Sequence, residues 1–137
     1  MRRVIKFRIY DKKLRKYMTL KEYQDLHAIE VETDGTLILS PRYRFMDSML
    51  IDTNAFDVQQ FTGLHDKNNV EIYESDIIEI TRQCIWEEGI VIFKNGCFFI
   101  KVKETLLPLY ECDVNNFELK VIGNKWDNPE LLKGDTE

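Results

Sequence analysis

Two histidines and three cysteines supply all of the chain's soft metal ligands and strong nucleophiles: His27, His65, Cys84, Cys97 and Cys112. A zinc site needs at least three such ligands, and these five lie far apart in sequence, without CxxC spacing or a second residue at metal distance from either histidine. A Cys–His dyad needs a thiolate held beside an imidazole, but Cys97-Phe98-Phe99 and the surroundings of Cys112 read as core. Among the carboxylates, Asp66-x-Asn68-x-x-Glu71 starts like a calcium loop, yet it lacks the central Gly and the terminal Glu of an EF-hand. Asp and Asn at turns usually bond their own backbone. Glu74 and Asp76 are spaced i, i+2, which on a strand puts both on one face, the geometry of an acid–base pair. Nothing beside them recruits a substrate, so they read as solvated charges where a strand begins. GxGxxG, GxxxxGK[ST], HExxH and GxSxG are all missing from the sequence. The residues therefore offer no catalytic, cofactor-binding or metal-ligating set, and the expectation is a protein that is not an enzyme and carries no cofactor.

The composition is that of a globular chain of 137 residues, 44% hydrophobic and 31% charged. That length buries enough surface to dispense with a disulfide or metal staple. No segment approaches the roughly 20 apolar residues of a membrane helix, and no apolar stretch follows the charged Met1-Arg2-Arg3-Val4-Ile5-Lys6, so neither a membrane span nor a signal peptide is expected. An odd number of cysteines without paired spacing reads as reduced, mostly buried thiols of a cytoplasmic protein. The net charge of -5 conceals an asymmetry: residues 1–21 hold nine Lys and Arg against the single Asp11, and the remainder hold ten against 23 acids. A +8 arm on a -13 body admits three readings. The charges at Lys12, Lys13, Arg15 and Lys16 are a solvated turn, or the arm docks on the body of another copy, or it binds nucleic acid. Eight Phe, six Tyr and two Trp fit a packed core, with base stacking as the alternative use.

The elements that must position these groups are strands. Ile5, Phe7 and Ile9 alternate with Lys6 and Arg8, the period-two pattern of a half-buried strand, and Asp11-Lys12-Lys13 turns the chain. Leu20 to His27 fits a short helix or a long loop. Ala28–Thr33 and Thr36–Ser40 flank Asp34-Gly35, a hairpin signal that sets Val31 opposite Ile38. Met49–Asp52 and Phe56–Phe61 read as short strands. After Thr62-Gly63 and the polar turn Asp66–Asn69 come Val70–Tyr73 and Asp76–Ile80. Gly89–Phe93 and Cys97–Val102 flank a second hairpin signal, Asn95-Gly96, which sets Phe93 opposite Phe98 and Val91 opposite Ile100 on one buried face. Ile90, Ile92 and Phe99 make the other face apolar too, so it needs cover from the N-terminal part or from another copy. Leu106–Tyr110 and Phe117–Ile122 add two strands, and Asn128 caps a last helical turn opened by Pro129. Short strands with Gly and Asn turns imply a small barrel or sandwich.

Three stretches resemble the YopX family of phage and prophage proteins. They are Lys6–Asp11 (KFRIYD), Phe61–Ile78 (FTGLHDKNNVEIYESDII) and Val121–Leu132 (VIGNKWDNPELL). Three departures stand out: Tyr10 where the family has Trp, Asn68-Asn69 where it has Asn-Gly, and Glu74-Ser75-Asp76 where it has Glu-Gly-Asp. Asn69 tolerates positive φ, whereas Ser75 at positive φ carries strain. The resemblance implies a mainly β fold with a C-terminal part similar to an SH3-like barrel, and it assigns no catalytic or binding residues.

The resulting expectation is a mainly β protein. It has an N-terminal β subdomain with the basic arm over 1–60, a C-terminal SH3-like barrel over 61–132 and a disordered tail at 133–137. Function is expected to be that of a non-enzymatic phage or prophage accessory protein of the host cytoplasm, acting through protein–protein contacts. Its expected partners are its own copies in a homo-oligomer and a phage or host protein. The alternative is a nucleic-acid-binding module using the basic arm and barrel aromatics.

Overall fold

The computed structural model describes residues 4–18, 27–31, 37–41 and 56–135. The expected helix or loop before His27, the turn at Asp34-Gly35 and the strand at Met49–Asp52 lie outside the described residues. The chain divides into two compact units, Phe7–Val58 and a second formed by Met1–Lys6 with Gln59–Glu137.

In the first unit, β1 (Phe7–Asp11) pairs antiparallel with β2 (Lys16–Met18), joining Ile9 to Met18, Tyr10 to Tyr17 and Asp11 to Lys16. Asp11 builds the turn between them. Its Oδ1 accepts from the backbone N–H of Lys13 at 2.9 Å and of Leu14 at 3.0 Å, and its carbonyl accepts from Arg15 N–H at 2.8 Å. Arg15 then takes positive φ, 55°. The strand starts at Phe7, two residues later than the alternation suggests, and Ile5 is exposed rather than part of a buried face. A second hairpin joins β3 (His27–Val31) to β4 (Leu37–Pro41). Its register differs by one from expectation: Val31 pairs with Leu37 and Glu30 with Ile38.

The second unit is built on a five-stranded antiparallel sheet of order β10-β9-β8-β7-β11. Its strands are β7 (Asp76–Arg82), β8 (Ile85–Lys94), β9 (Cys97–Val102), β10 (Thr105–Pro108) and β11 (Glu118–Asn124). One face carries Ile78, Ile80, Val91, Ile100, Val102 and Leu119, all buried in one cluster with Ile72 of β6 (Glu71–Tyr73). Helix α1 (Leu109–Val114) adds Leu109 and Cys112, spaced i, i+3 on one side. Tyr110 was expected on a strand. Pro108 ends β10 because it has no N–H to continue the ladder, and Tyr110 falls in α1 and is exposed.

The β8–β9 hairpin has the expected register, Phe93 to Phe98 and Val91 to Ile100. Asn95 and Gly96 both have positive φ, 52° and 80°, as a type I′ turn requires. The buried face does not reach the tip. Val91 and Ile100 are buried, Phe98 is half-buried, and Phe93 is 52% exposed, its ring edge-on to Phe98 at 5.1 Å.

Strand β5 (Phe56–His65) continues past Gly63, where the register with β6 shifts between Phe61–Tyr73 and His65–Glu71. Gly63 absorbs the shift with φ of 89°. A 3-10 helix, Pro129–Asp135, follows β11. The Asn128 side chain does not cap it; Asn128 Oδ1 turns back to accept from Asn124 N–H at 3.2 Å and lies where a Cβ on Gly123 would stand. Among the described residues no helix is long and apolar enough to cross a membrane.

Candidate interaction surface

The residues singled out for chemistry scatter. His65 ends β5 with its ring edge-on to Phe61 at 5.5 Å, and His27 begins β3. Among the described residues no three His, Cys, Asp or Glu stand close enough to share a metal ion. Cys84 and Cys97 are exposed and only Cys112 is buried, so the expectation of mostly buried thiols fails for two of the three. Both exposed cysteines sit at hairpin ends, where the strands outrun the core. Burial pushes the Cys112 thiol pKa up, which keeps it protonated and slow to react.

The carboxylates of the 66–76 region are structural. Asp66 Oδ1 accepts from Asn68 N–H at 2.8 Å and Val70 N–H at 2.9 Å, and its Oδ2 accepts from Val121 N–H at 2.9 Å. Burial alone would raise its pKa, but these three N–H groups outweigh it and hold the carboxyl below the ordinary aspartate value. Glu74 and Asp76 are not the solvated pair expected. Ser75 between them takes φ of 71°, so they do not share a strand face. Glu74 Oε1 accepts from Gln60 N–H at 3.0 Å, and the buried Asp76 accepts from Tyr73 N–H at 2.8 Å. Glu71 instead pairs with Lys6 at 2.7 Å, a hydrogen-bonded ion pair that lowers the Glu71 pKa and raises that of Lys6.

What the structure brings together is a surface at the start of β8. The turn Gln83-Cys84 has positive φ at both residues, 47° and 66°, and it carries the β7–β8 hairpin past the end of the core. Ile85 is therefore 54% and Trp86 77% exposed. Trp86 borders a cleft of about 640 Å³ with Glu79, Glu88, Lys103, Leu107 and Leu131. Glu79 lies directly across the ladder from Glu88, a like-charge pairing that disfavours the sheet by itself. Among the described residues neither has an ion pair within the chain, whereas Glu87 faces Arg82 at 3.3 Å. The cleft thus joins an exposed indole, an apolar wall and charges of both signs. No local pattern announces it, since Gln-Cys is not a recognised turn pair and Trp86 reads as core.

The architecture is mainly β and antiparallel, with a surface suited to contact. The YopX protein family matches residues 6–133, and the chain belongs to that family. Two solved structures share the fold. Protein EF1440 from Enterococcus faecalis superposes with a TM-score of 0.58 at 23% identity, covering 95% of this chain and 99% of that one. Protein yopX from Bacillus subtilis superposes with a TM-score of 0.58 at 20% identity, covering 93% and 97%. The comparison with curated proteins returned no match.

Proposed function

We propose that the chain is a non-enzymatic accessory protein of a phage or prophage, working in the bacterial cytoplasm through protein–protein contacts, and that its first partner is a second copy of itself. The phage setting rests on the family. The contact function rests on one observation, the 77% exposure of Trp86 beside the cleft at the end of the β7–β8 hairpin. Tryptophan is among the side chains most enriched where binding energy concentrates. A second copy is the occupant because the rim complements itself. In a two-fold contact, Glu79 and Glu88 of each copy meet Lys103 of the other, around an apolar centre made by the two Trp86 side chains. The SH3-like reading of residues 61–132 belongs to the same proposal, supported by the five-stranded antiparallel sheet with its short connections.

Sedimentation velocity at micromolar concentration and moderate salt tests it. The wild-type chain is expected to sediment above its monomer mass of 16.4 kDa. The double variant Ile85→Ser with Trp86→Ser is expected to sediment as a monomer while keeping the wild-type circular dichroism spectrum. A wild-type monomer across that range overturns the proposal.

A further inference from the structure

Glu79 and Glu88 oppose each other across the β7–β8 ladder, and Trp86, two residues before Glu88 on β8, stands on the same face. Directly opposed side chains have Cβ atoms about 5 Å apart, so two carboxylates and an indole converge at the cleft of about 640 Å³ that all three line. Among the described residues no cation of the chain pairs with either carboxylate. The cleft's own arginine, Arg82, is held elsewhere: its Nη2 lies 3.3 Å from Glu87 Oε2, and its guanidinium lies 5.5 Å from the centre of the Phe117 ring. Even so, Glu87 Oε2 is buried and accepts no hydrogen bond, so the cleft is short of donors. Trp86 is the most exposed large apolar side chain among the described residues. Val102, Leu107 and Leu131 supply an apolar wall.

We propose that this cleft receives an arginine side chain of a partner protein, and that this guest displaces the second copy; the inference rests on the Trp86 surface being a contact surface. The volume lies within the range of ligand pockets. An arginine joins an apolar stem to a planar cationic head. The stem lies along Leu107 and Leu131, and the head reaches Glu79 and Glu88. There its five N–H donors serve two carboxylates at once, and its flat face stacks on the Trp86 indole, the aromatic that holds cations best. The guest converts the repulsion across the ladder into the contact that selects it. Lysine fits less well, because an ammonium is a point charge without the planar fork that stacks and bridges. A divalent metal ion is not the guest, because among the described residues no three His, Cys, Asp or Glu stand close enough to hold one. Lys103 of a second copy seeks the same two carboxylates, so arginine binding and self-association exclude each other.

Heteronuclear NMR of the nitrogen-labelled full chain tests this, because two tryptophans give two indole N–H signals. Trp86→Phe assigns the Trp86 signal, and Trp126, with the Lys125 ammonium 4.8 Å from its ring centre, is the internal control. The capped tripeptide acetyl-Gly-Arg-Gly-amide is expected to move the Trp86 signal alone and saturably, with a Kd of about 1 mM. The same tripeptide carrying citrulline, the uncharged isostere of arginine, is expected to bind at least about tenfold more weakly, as is the arginine peptide to the double variant Glu79→Gln with Glu88→Gln. That variant removes a repulsion, so it is expected to melt at or above the wild-type temperature, which keeps loss of binding distinct from loss of fold. In sedimentation the arginine peptide is expected to shift the wild-type chain toward monomer. Three results overturn the proposal: no movement of the Trp86 signal at about 10 mM peptide, tenfold above that Kd; equal movement by the arginine and citrulline peptides; or undiminished binding by the double variant. A wild-type monomer that binds the arginine peptide overturns self-association and supports the cleft assignment, whereas an oligomer that ignores the peptide overturns the cleft assignment alone.

Discussion

One carboxylate, that of Asp66, ties three places in the chain together. Its turn at 66–69 is legible in the sequence, because Asp and Asn signal a turn that bonds its own backbone. Its third bond is not legible: Val121 lies 55 residues away, and only tertiary structure brings β11 to it. Asp66→Asn keeps one acceptor oxygen but turns a donor toward backbone donors, so it should cost about 1–3 kcal/mol. The pH dependence has a definite sign. The folded pKa lies below the ordinary value, so the stabilisation is complete above the ordinary aspartate range. It is lost as pH falls through the lowered folded value. Urea unfolding from pH 7 to pH 2 should show Asp66→Asn losing less stability than wild type across that acid window. Parallel curves for the two proteins would remove Asp66 from this role.

At the scale of elements, turns decide what a sequence reveals. Asn95-Gly96 announces itself, because both residue types accept positive φ, and its hairpin forms in the expected register. Gln83-Cys84 takes the same kind of turn with residues that advertise nothing, and the hairpin it closes carries the exposed Trp86. Gly89 gives no local signal either. A Cβ there would stand 2.6 Å from both Ile100 Cγ2 and Lys101 O, so β8 and β9 touch where Gly89 is bare. Ser75 is a third case. Its backbone N–H donates to Val91 O at 2.9 Å and its carbonyl accepts from Lys125 N–H at 3.0 Å, while φ is 71°. Those bonds involve backbone alone, so Ser75→Gly keeps them and removes the left-handed strain. Stability should rise by about 1 kcal/mol, the left-handed penalty less part of the added chain entropy of glycine. Guanidinium unfolding measures it, and a fall in midpoint would assign the Ser75 side chain a role of its own.

For the whole molecule, net charge sets how the proposed contact responds to salt. The net charge of -5 makes copies repel at low salt, so apolar association through Trp86 should survive or strengthen as salt rises. The overall balance of +8 and -13 is visible in composition. Its placement is not: four of the nine cations of residues 1–21 gather on one exposed turn, and Lys6 meets Glu71 in the other unit. Composition shows that charge is uneven, and topology decides where in the fold it gathers.

The strand order β10-β9-β8-β7-β11 also constrains how the sheet assembles in time. Strands β7 to β10 join sequence neighbours through short turns, so their pairing closes small loops. Strand β11 must return across three strands and a helix to reach β7, and closing that larger loop costs more entropy. The meander therefore forms the folding nucleus and β11 docks afterwards. Ile100→Val, within the meander, should chiefly slow refolding, and Leu119→Ala, on β11, should chiefly speed unfolding. Stopped-flow chevrons in urea separate the two arms. Slower refolding of Leu119→Ala by as large a share of its stability loss as in Ile100→Val would place β11 inside the nucleus instead.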